Sequence, residues 1–246
     1  MTPLSRIKGV LFDKDGTLID FHATWHGVAD QMALEAADGD RTRADLLMEM
    51  AGYDPGAQRF RSDSIAAAGT NADIVDLWHP ELDRDRRRER IAYFDRVTAI
   101  EGATRAVAVP RVIEAITVMR AAGMRLGVAT NDSTEGAEKT LVSLGVAQMF
   151  DAVYGYDAVA NPKPAGDVVT AFADMAGLKV TQVAMVGDNR HDLEAGRAAG
   201  AGLVVAVLSG TGTRDKLAPL ADVVLESVAD LPDYLAIGQA KATLST

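Results

Sequence analysis

The sequence predicts an α/β fold: a doubly wound, Rossmann-like parallel sheet that carries an inserted, all-helical cap domain. Three observations lead to this prediction. From residue 110 onward, short apolar runs alternate with helical segments, an order typical of parallel sheets with crossover helices. One further apolar run, residues 7–12, stands apart near the N-terminus. Between them, residues 20–102 are rich in Ala, Leu, Met, Arg and Glu at helical spacing and poor in β-branched residues.

The N-terminal run and the helical insertion come first in the chain. Residues 7–12 are apolar without alternation, a pattern typical of a strand buried on both faces of a parallel sheet. Within the insertion, residues 81–100 predict one long charged helix with Ile91, Phe94 and Val97 on its apolar face. The insertion therefore predicts packed helices rather than strands.

Beyond Pro110 the chain predicts a regular alternation of helices and strands. Proline is favoured in the first turn of a helix, and the later helices are expected to stop at glycines. The predicted helices are residues 110–122, 135–144, 166–175 and 193–199, and the predicted strands are residues 124–129, 152–154, 183–186, 203–207 and 223–225.

The expected domain organisation follows from this order. Residues 1–19 and 103–246 are expected to form the α/β core domain, and residues 20–102 the helical cap. Because one strand precedes the insertion and the others follow it, the core is expected to be split along the chain.

Composition excludes several classes of partner. The chain has 246 residues, 48% of them hydrophobic, which is enough for a large packed core. Its net charge of −10 argues against a nucleic-acid partner, because phosphate backbones attract clustered Lys and Arg. No cysteine is present, so disulfides and thiolate chemistry are excluded. Without a signal peptide or a membrane-length apolar run, we expect a cytoplasmic protein that has no membrane partner and is a monomer or homodimer.

Four carboxylates follow two of the predicted strands. Asp13 and Asp15 follow the first strand, and Asp188 and Asp192 follow the strand that ends in VAMVG. In doubly wound sheets the carboxyl ends of the strands form the ligand-binding edge, where crowded carboxylates need a compensating cation. Mg²⁺ prefers such oxygen ligands. We expect Asp13 and Asp188 to hold Mg²⁺ with the backbone carbonyl of Asp15, and Asp192 to support them.

The same edge is expected to bind a phosphoryl group. Thr130 and Asn131 follow the second strand, and Lys163 lies between two prolines in NPKP. The Thr130 hydroxyl, backbone N–H groups around Asn131 and the Lys163 ammonium suit phosphoryl oxygens. Phosphoryl transfer depends mainly on positioning and charge neutralisation. Asp13 then suits the nucleophile, and Asp15, two residues on, suits the general acid and base.

These motifs, in this order, resemble the haloacid dehalogenase superfamily of aspartyl-phosphate phosphohydrolases, in the subfamily with a helical cap after the first motif. The family pattern is D-x-D-G-T, a strand ending in Ser or Thr, then Lys, then G-D-x-x-x-D. Here it is carried by DKDGT starting at Asp13, by Thr130, by Lys163 and by GDNRHD around Asp188. Within the superfamily the sequence is most similar to phosphoglycolate phosphatase and its unassigned relatives.

The resemblance implies a role for each motif residue and Mg²⁺ as the cofactor. It implies Asp13 as the nucleophile, Asp15 as the acid and base, Thr130 and Lys163 as phosphate ligands, Asp188 as a metal ligand, and Asp192 either behind the metal ligands or holding Lys163. Asp15 also argues against dehalogenation, because the true dehalogenases lack this second aspartate.

Three residues beside the first motif keep alternatives open. The family usually has an apolar residue at the position of Lys14, so a side chain that points into the site would tune substrate or metal affinity. His22 and His26 lie one helical turn apart where the cap begins. They agree with a metal pair, with substrate contacts at the cap hinge, or with ordinary packing.

The expected function is a Mg²⁺-dependent phosphatase that hydrolyses a small phosphorylated metabolite through a phosphoaspartyl intermediate. A phosphomutase of the β-phosphoglucomutase type shares the motifs and remains the alternative. A receiver-like signalling protein agrees less well, because its accepting aspartate comes later in the chain and no helical insertion follows. A non-catalytic phosphoryl-binding protein would keep buried acids at an uncompensated cost. The cap contains no lysine between residues 21 and 100, which favours a single phosphate on a compact body.

Overall fold

A six-stranded parallel sheet forms the centre of the structure, a computed structural model that describes residues 6–237. The strands are β1 (Gly9–Phe12), β2 (Tyr53–Asp54), β3 (Arg59–Phe60), β4 (Arg125–Ala129), β5 (Ala152–Tyr154), β6 (Val183–Gly187), β7 (Leu203–Val207) and β8 (Val223–Leu225). The helices are α1 (Phe21–Ala36), α2 (Arg41–Ala51), α3 (Ile65–Ala68), α4 (Asn71–Trp78), α5 (Arg84–Arg105), α6 (Val112–Ala121), α7 (Thr134–Ser143), α8 (Asp167–Ala176), α9 (Arg190–Ala199), α10 (Arg214–Leu217) and α11 (Leu231–Tyr234).

The large sheet has the order β5-β4-β1-β6-β7-β8, with every neighbouring pair parallel. The strand order reverses direction at β1, because β4 lies on one side of it and β6 on the other. Such a reversal is the topological switch point at which doubly wound sheets bind their ligands. The predicted doubly wound α/β fold is therefore confirmed, and its switch point lies at the end of the first strand.

Helices cover both faces of this sheet. Alternate residues of β1 face opposite sides: Val10 and Phe12 belong to the apolar cluster under α6, whereas Leu11 packs with Val169 and Phe172 of α8. All five of these side chains are buried. A strand buried on both faces requires a continuous apolar run, which explains why this segment shows no alternation.

The insertion after β1 has an apolar core of its own. Phe60, Trp78 and Phe94, together with side chains of α1 and α2, form a cluster that is separate from those of the sheet. The insertion is helical except for the short antiparallel pair of β2 and β3. We therefore propose that residues 20–102 form a cap domain, and the separate apolar cores support this division. Helix α5 continues past the boundary to Arg105.

Local capping explains where several helices begin. The side chain of Asp20 accepts a hydrogen bond from the backbone N–H of Ala23 at 2.9 Å, and α1 starts directly after it. Asp83 caps the long helix α5 in the same way, accepting from the N–H groups of Asp85 and Arg86. A carboxylate at this position satisfies otherwise unpaired N–H groups and favours the positive end of the helix dipole. None of the helices within residues 6–237 combines the length and apolar character needed to cross a membrane.

Close packing of α8 on the sheet depends on glycine at position 127. A Cβ atom at Gly127 would lie 2.7 Å from two ring carbons of Phe172 and 3.1 Å from Leu11. The Gly127→Ala substitution is therefore expected to lower the free energy of unfolding by about 1–3 kcal/mol through overpacking, as measured by urea denaturation. In a Phe172→Leu background the same substitution should cost less, because the ring is gone. Equal costs in the two backgrounds would contradict this packing argument.

Candidate active site

The ends of three neighbouring strands bring together residues that are far apart in the chain. Asp13 follows β1, Thr130 follows β4 and Asp188 follows β6. Since β1 lies between β4 and β6, all three side chains lie at one edge of the sheet, and all three are buried. The strand order thus accounts for a shared site without any local sequence signal linking the three segments.

Lys163 joins these elements through its ammonium group. The Nζ atom donates hydrogen bonds to Asp13 Oδ1 at 2.7 Å, to Asp192 Oδ1 at 2.6 Å and to the backbone carbonyl of Ala129 at 2.8 Å. All three donors of the ammonium are therefore used. Burial would lower the pKa of Lys163, but the charges of Asp13 and Asp192 outweigh it and raise that pKa. The side chain remains a fixed positive charge beside Asp13.

Three carboxylates form a compact buried cluster around this lysine. One oxygen each of Asp13, Asp188 and Asp192 lies within 4.8 Å of the others. Burial, with the nearby charge of Asp192, raises the pKa of Asp13 to about 7. Burial and the charge of Asp13 raise the pKa of Asp188 well above its ordinary value. One ammonium therefore does not balance three acids at this point.

The cluster fits a divalent cation. Lys163 neutralises one of the three charges, and within residues 6–237 no lysine or arginine forms an ion pair with Asp188. With all three acids ionised, two negative charges would be left, which equals the charge that Mg²⁺ would offset with oxygen ligands. The backbone of residues 210 and 211 packs directly against Asp188. Thr211 donates its N–H to Asp188 Oδ2 at 2.7 Å, and a Cβ at Gly210 would lie only 2.0 Å from that oxygen, so glycine is required there.

Asp192 has two contacts at once. Its Oδ1 holds Lys163, and its Oδ2 accepts a hydrogen bond from the backbone N–H of Asn189 at 3.0 Å, which caps α9. A Cβ on Gly187 would lie 2.2 Å from Asp192 Oδ2, so glycine is required for this close approach. The geometry thus combines the support of Lys163 with the helix cap.

Asp15 lies beside Asp13 in a second polar network. Lys14 Nζ lies 2.9 Å from both carboxylate oxygens of Asp15 and 3.1 Å from Asp132 Oδ2. The indole N–H of Trp25, on α1 of the cap, donates to Asp15 Oδ1, and Thr130 Oγ1 donates to Oδ2 at 3.4 Å. Asp15 is therefore held by groups from the core and from the cap.

Lys14 does not line the cavity at the site. Its side chain is fully buried, with Nζ 4.9 Å from the centre of the Trp25 ring. Burial would lower its pKa, but the charges of Asp15 and Asp132 raise it. The lysine that departs from the family pattern is thus the counter-ion of two carboxylates, a position that the sequence did not reveal.

Thr130 and Asn131 follow β4 but make different contacts. Thr130 Oγ1 also accepts the backbone N–H of Asp132 at 3.1 Å. The Asn131 amide donates to the carbonyl of Lys163 at 3.2 Å and to that of Ala68, on the cap, at 2.9 Å. His191 Nδ1 lies 3.1 Å from the same Ala68 carbonyl. The end of α3 is thereby attached to the core beside the site.

His22 and His26 lie in an aromatic group of the cap. The His22 ring stacks parallel to Phe60 with a centroid distance of 6.4 Å, and the His26 ring lies 4.8 Å from that of Tyr53. Neither histidine lines the cavity at the acidic cluster. The group of acids within residues 6–237 that could hold a metal ion contains neither of them. In this structure both make packing contacts, and a role for either in substrate binding stays a prediction.

A cavity of about 120 Å³ separates the acidic cluster from the cap. Asp13, Thr130 and Lys163 line its core side, whereas Trp25 and other residues of the helical insertion line the opposite side. A phosphoryl group at the core end would therefore have its attached group directed at the cap.

Sequence reasoning missed three residues of this site. Thr211 lies in the loop after β7. A search for polar residues after the predicted strand at residues 203–207 would have found it, because the carboxyl ends of the strands form the ligand-binding edge. Asp132 directly follows the second motif, but its pairing with Lys14 has no sequence signal. The contact of Trp25 with Asp15 depends on how the cap packs on the core.

Comparisons with known proteins agree with this geometry. A model of the haloacid dehalogenase-like hydrolase family matches residues 7–200. The chain is 34% identical to phosphoglycolate phosphatase of Salmonella typhimurium over 211 residues, which cover 81% of each chain. It is 32% identical to phosphoglycolate phosphatase of Escherichia coli K12, over 94% of this chain and 93% of that protein.

Solved structures show the same fold at lower identity. A crystal structure from Haemophilus somnus, described as a predicted phosphoglycolate phosphatase, superposes with a TM-score of 0.70. It is 21% identical and covers 93% of this chain and 98% of its own. The arrangement of sheet and helices is thus shared with that protein.

The buried charge of Lys14 gives a stability prediction. Lys14→Met would leave the half-buried carboxylates of Asp15 and Asp132 without their counter-ion, so we expect the free energy of unfolding to fall by about 2–4 kcal/mol. The measurement is urea denaturation at neutral pH.

Lys139→Met is the matched control. Lys139 pairs with Glu135 on the exposed surface of α7, so its loss should cost less than about 1 kcal/mol. Similar losses for the two variants would show that the buried network contributes no more than a surface ion pair.

Proposed function

Because the chain belongs to the haloacid dehalogenase-like hydrolases and is a phosphatase of that family, we propose that it hydrolyses a small phosphorylated metabolite with Mg²⁺ through a phosphoaspartyl intermediate. The observation that carries this proposal is the Asp13 carboxylate, buried at the switch point beside the Lys163 ammonium and two further acids. A carboxylate so placed can attack phosphorus while fixed charges bind the phosphoryl oxygens.

In the proposed first step, a carboxylate oxygen of Asp13 attacks the phosphorus atom of the monoester. The new bond joins that oxygen to phosphorus, and the bond between phosphorus and the leaving oxygen breaks. Asp15 gives its proton to the leaving oxygen, which departs as an alcohol. Thr130 and Lys163 bind phosphoryl oxygens during this transfer.

In the proposed second step, water hydrolyses the aspartyl phosphate. The Asp15 carboxylate takes a proton from the water as its oxygen attacks phosphorus. The bond between phosphorus and the Asp13 oxygen breaks, inorganic phosphate leaves, and Asp13 is again a carboxylate. Asp15 has regained its proton, so the cycle is complete.

Asp13 and Asp188, with the backbone carbonyl of Asp15, are the proposed Mg²⁺ ligands. When bound, Mg²⁺ supplies charge neutralisation for the carboxylates and for the phosphoryl oxygens. Asp192 keeps Lys163 in place behind them, which the contact of 2.6 Å supports. The raised pKa of Asp188 supports this assignment too, because an acid destabilised by burial gains most from a cation.

The relatives support a compact, singly phosphorylated substrate. The relatives that are 34% and 32% identical to this chain are phosphoglycolate phosphatases. The reaction proposed here, hydrolysis of a phosphomonoester, belongs to the same class as the one for which they are named. The expectations of no nucleic-acid or membrane partner, of a monomer or homodimer, and of a cytoplasmic location stay predictions.

The nucleophile is tested by Asp13→Asn. We expect phosphate release from a phosphomonoester in Mg²⁺ buffer to fall by about 10³-fold or more, because an amide cannot form the acyl phosphate. Asp45→Asn, on the exposed surface of α2, is the control and should keep its activity. Full turnover by Asp13→Asn would refute the mechanism. If the wild-type protein isomerised a sugar phosphate without releasing free phosphate, the result would indicate a phosphomutase instead.

Metal binding has a readout that is independent of activity. Adding Mg²⁺ to EDTA-treated protein should stabilise it by about 2.7 kcal/mol at a hundredfold excess over Kd, which for this size is a rise in Tm of about 5–10 °C. The measurement is calorimetry at constant ionic strength.

Asp188→Asn is the matched variant for this test. It should lose the gain in Tm with Mg²⁺, yet be at least as stable as the wild type in EDTA, because it removes a buried charge. An equal gain in both proteins would rule out Asp188 as a ligand.

A further inference from the structure

The cap side of the cavity is formed by one face of α1. Phe21, Trp25, Val28, Ala29 and Met32 all line it, at spacings of three and four residues that place them on one side of a helix. Each of these side chains is apolar apart from the Trp25 N–H, which is already bonded to Asp15. This face therefore presents hydrocarbon and aromatic surface to whatever is attached to the phosphoryl group.

Helices α3 and α4 extend the apolar face of α1, and we call the combined cap surface the apolar wall. Ile65, Ala66 and Ala67 of α3 line the cavity, as do Ile74 and Trp78 of α4. The Trp78 N–H donates to a backbone carbonyl at 3.0 Å, so its ring alone faces the cavity. The wall thus combines aromatic rings with small side chains, which leave room between them.

The polar residues of the wall are already hydrogen-bonded within the cap. Thr70 Oγ1 donates to Asp73 at 2.8 Å as part of a helix cap. The Asn71 amide donates to Asp95 at 2.8 Å and to Thr98 Oγ1 at 3.0 Å. The Thr98 hydroxyl donates to a backbone carbonyl one turn back on α5. Substrate hydroxyl groups would have to compete with these bonds.

Charge is confined to the core side of the cavity. Among the lining residues that the structure describes, none from the cap is acidic or basic. The cap's arginines turn outward: Arg41 pairs with Asp30 at 2.9 Å, and Arg90 pairs with Glu35 at 3.3 Å. Neither arginine lines the cavity.

Among the lining residues that the structure describes, the core offers one ammonium, Lys163, and no guanidinium. Lys163 lies at the phosphoryl end of the cavity, where it bonds to Asp13 and Asp192 and is proposed to bind the phosphoryl oxygens. His191 Nδ1 lies 3.1 Å from the Ala68 carbonyl. A carboxylate on the leaving group would therefore enter a buried wall without an ionic partner. Such burial of an unpaired charge is strongly unfavourable.

We propose that the substrate's leaving group is an uncharged, apolar alcohol, aryl or short alkyl, and that the apolar wall selects it over carboxylate-bearing alcohols such as glycolate. This inference rests on the proposed phosphatase function and names the substrate class of the same site. The reaction stays the hydrolysis described above: the phosphorus–oxygen bond breaks, and the alcohol leaves with a proton from Asp15. The relatives named for phosphoglycolate thus share the chemistry, while this wall takes a different leaving group.

Two pairs of substrates of matched size test the proposal. Phosphate release with Mg²⁺ is measured for para-isopropylphenyl phosphate against para-carboxyphenyl phosphate, and for isobutyl phosphate against phosphoglycolate. We expect kcat/KM to be about tenfold or more higher for the uncharged member of each pair, although its alcohol is the poorer leaving group. Equal values, or a preference for the carboxylates, overturn the inference and leave the phosphatase function intact. No release from any of the four overturns the proposed function and, with it, this inference.

A charge placed on the wall tests the cause of the preference. Ala29→Lys puts an ammonium on the cavity face of α1, and we expect it to reduce the preference for the uncharged substrates by about tenfold. Ala67→Lys provides the same test from α3 if the first variant does not fold. Leu46→Lys adds the same charge on the exposed surface of α2, away from the cavity, and should leave the ratio unchanged. Equal shifts in Ala29→Lys and Leu46→Lys would assign the effect to net charge and overturn the inference.

Discussion

One buried ammonium group holds the site together. Lys163 bonds to the carboxylate after β1, to the last carbonyl of β4 and to the carboxylate in the first turn of α9. Without it, three acids within 4.8 Å of one another would repel in a medium that screens charge poorly. The surrounding structure therefore has to shield this lysine from water and keep it fixed, and the ends of β1 and β4 and the first turn of α9 contribute to that.

Much of this arrangement could be predicted from the sequence, because it follows from which residues come directly after the parallel strands. Asp13, Thr130 and Asp188 each follow an apolar run, and parallel strands bring their carboxyl ends to one edge. The contacts of Lys14 could not be predicted in this way. They depend on where Asp132 turns and on how Trp25 of the cap lies against the core, and no local pattern encodes either. The histidines of α1 show the same limit, since their spacing agreed with several environments.

The core and the cap contribute surfaces of different polarity to the cavity. The core supplies nearly all of the charge at the cavity, and its geometry follows from a fold shared with distant relatives. The cap supplies shape and apolar surface, while its arginines form ion pairs on the outside. Charge and apolar surface at the cavity therefore come from different segments of the chain. The two segments meet where the Trp25 N–H of the cap donates to Asp15.

The central position of β1 has a consequence for biosynthesis. This strand leaves the ribosome long before its two neighbours in the sheet, since Gly9 lies beside Arg125 and Val183. Until both have been made, an apolar tetrapeptide has no partner, whereas the helices of the insertion can already collapse on their own apolar cluster. The nascent chain would then carry a folded helical unit tethered to an unfinished sheet, and the acidic cluster around Asp13 would form only when the middle of that sheet closes.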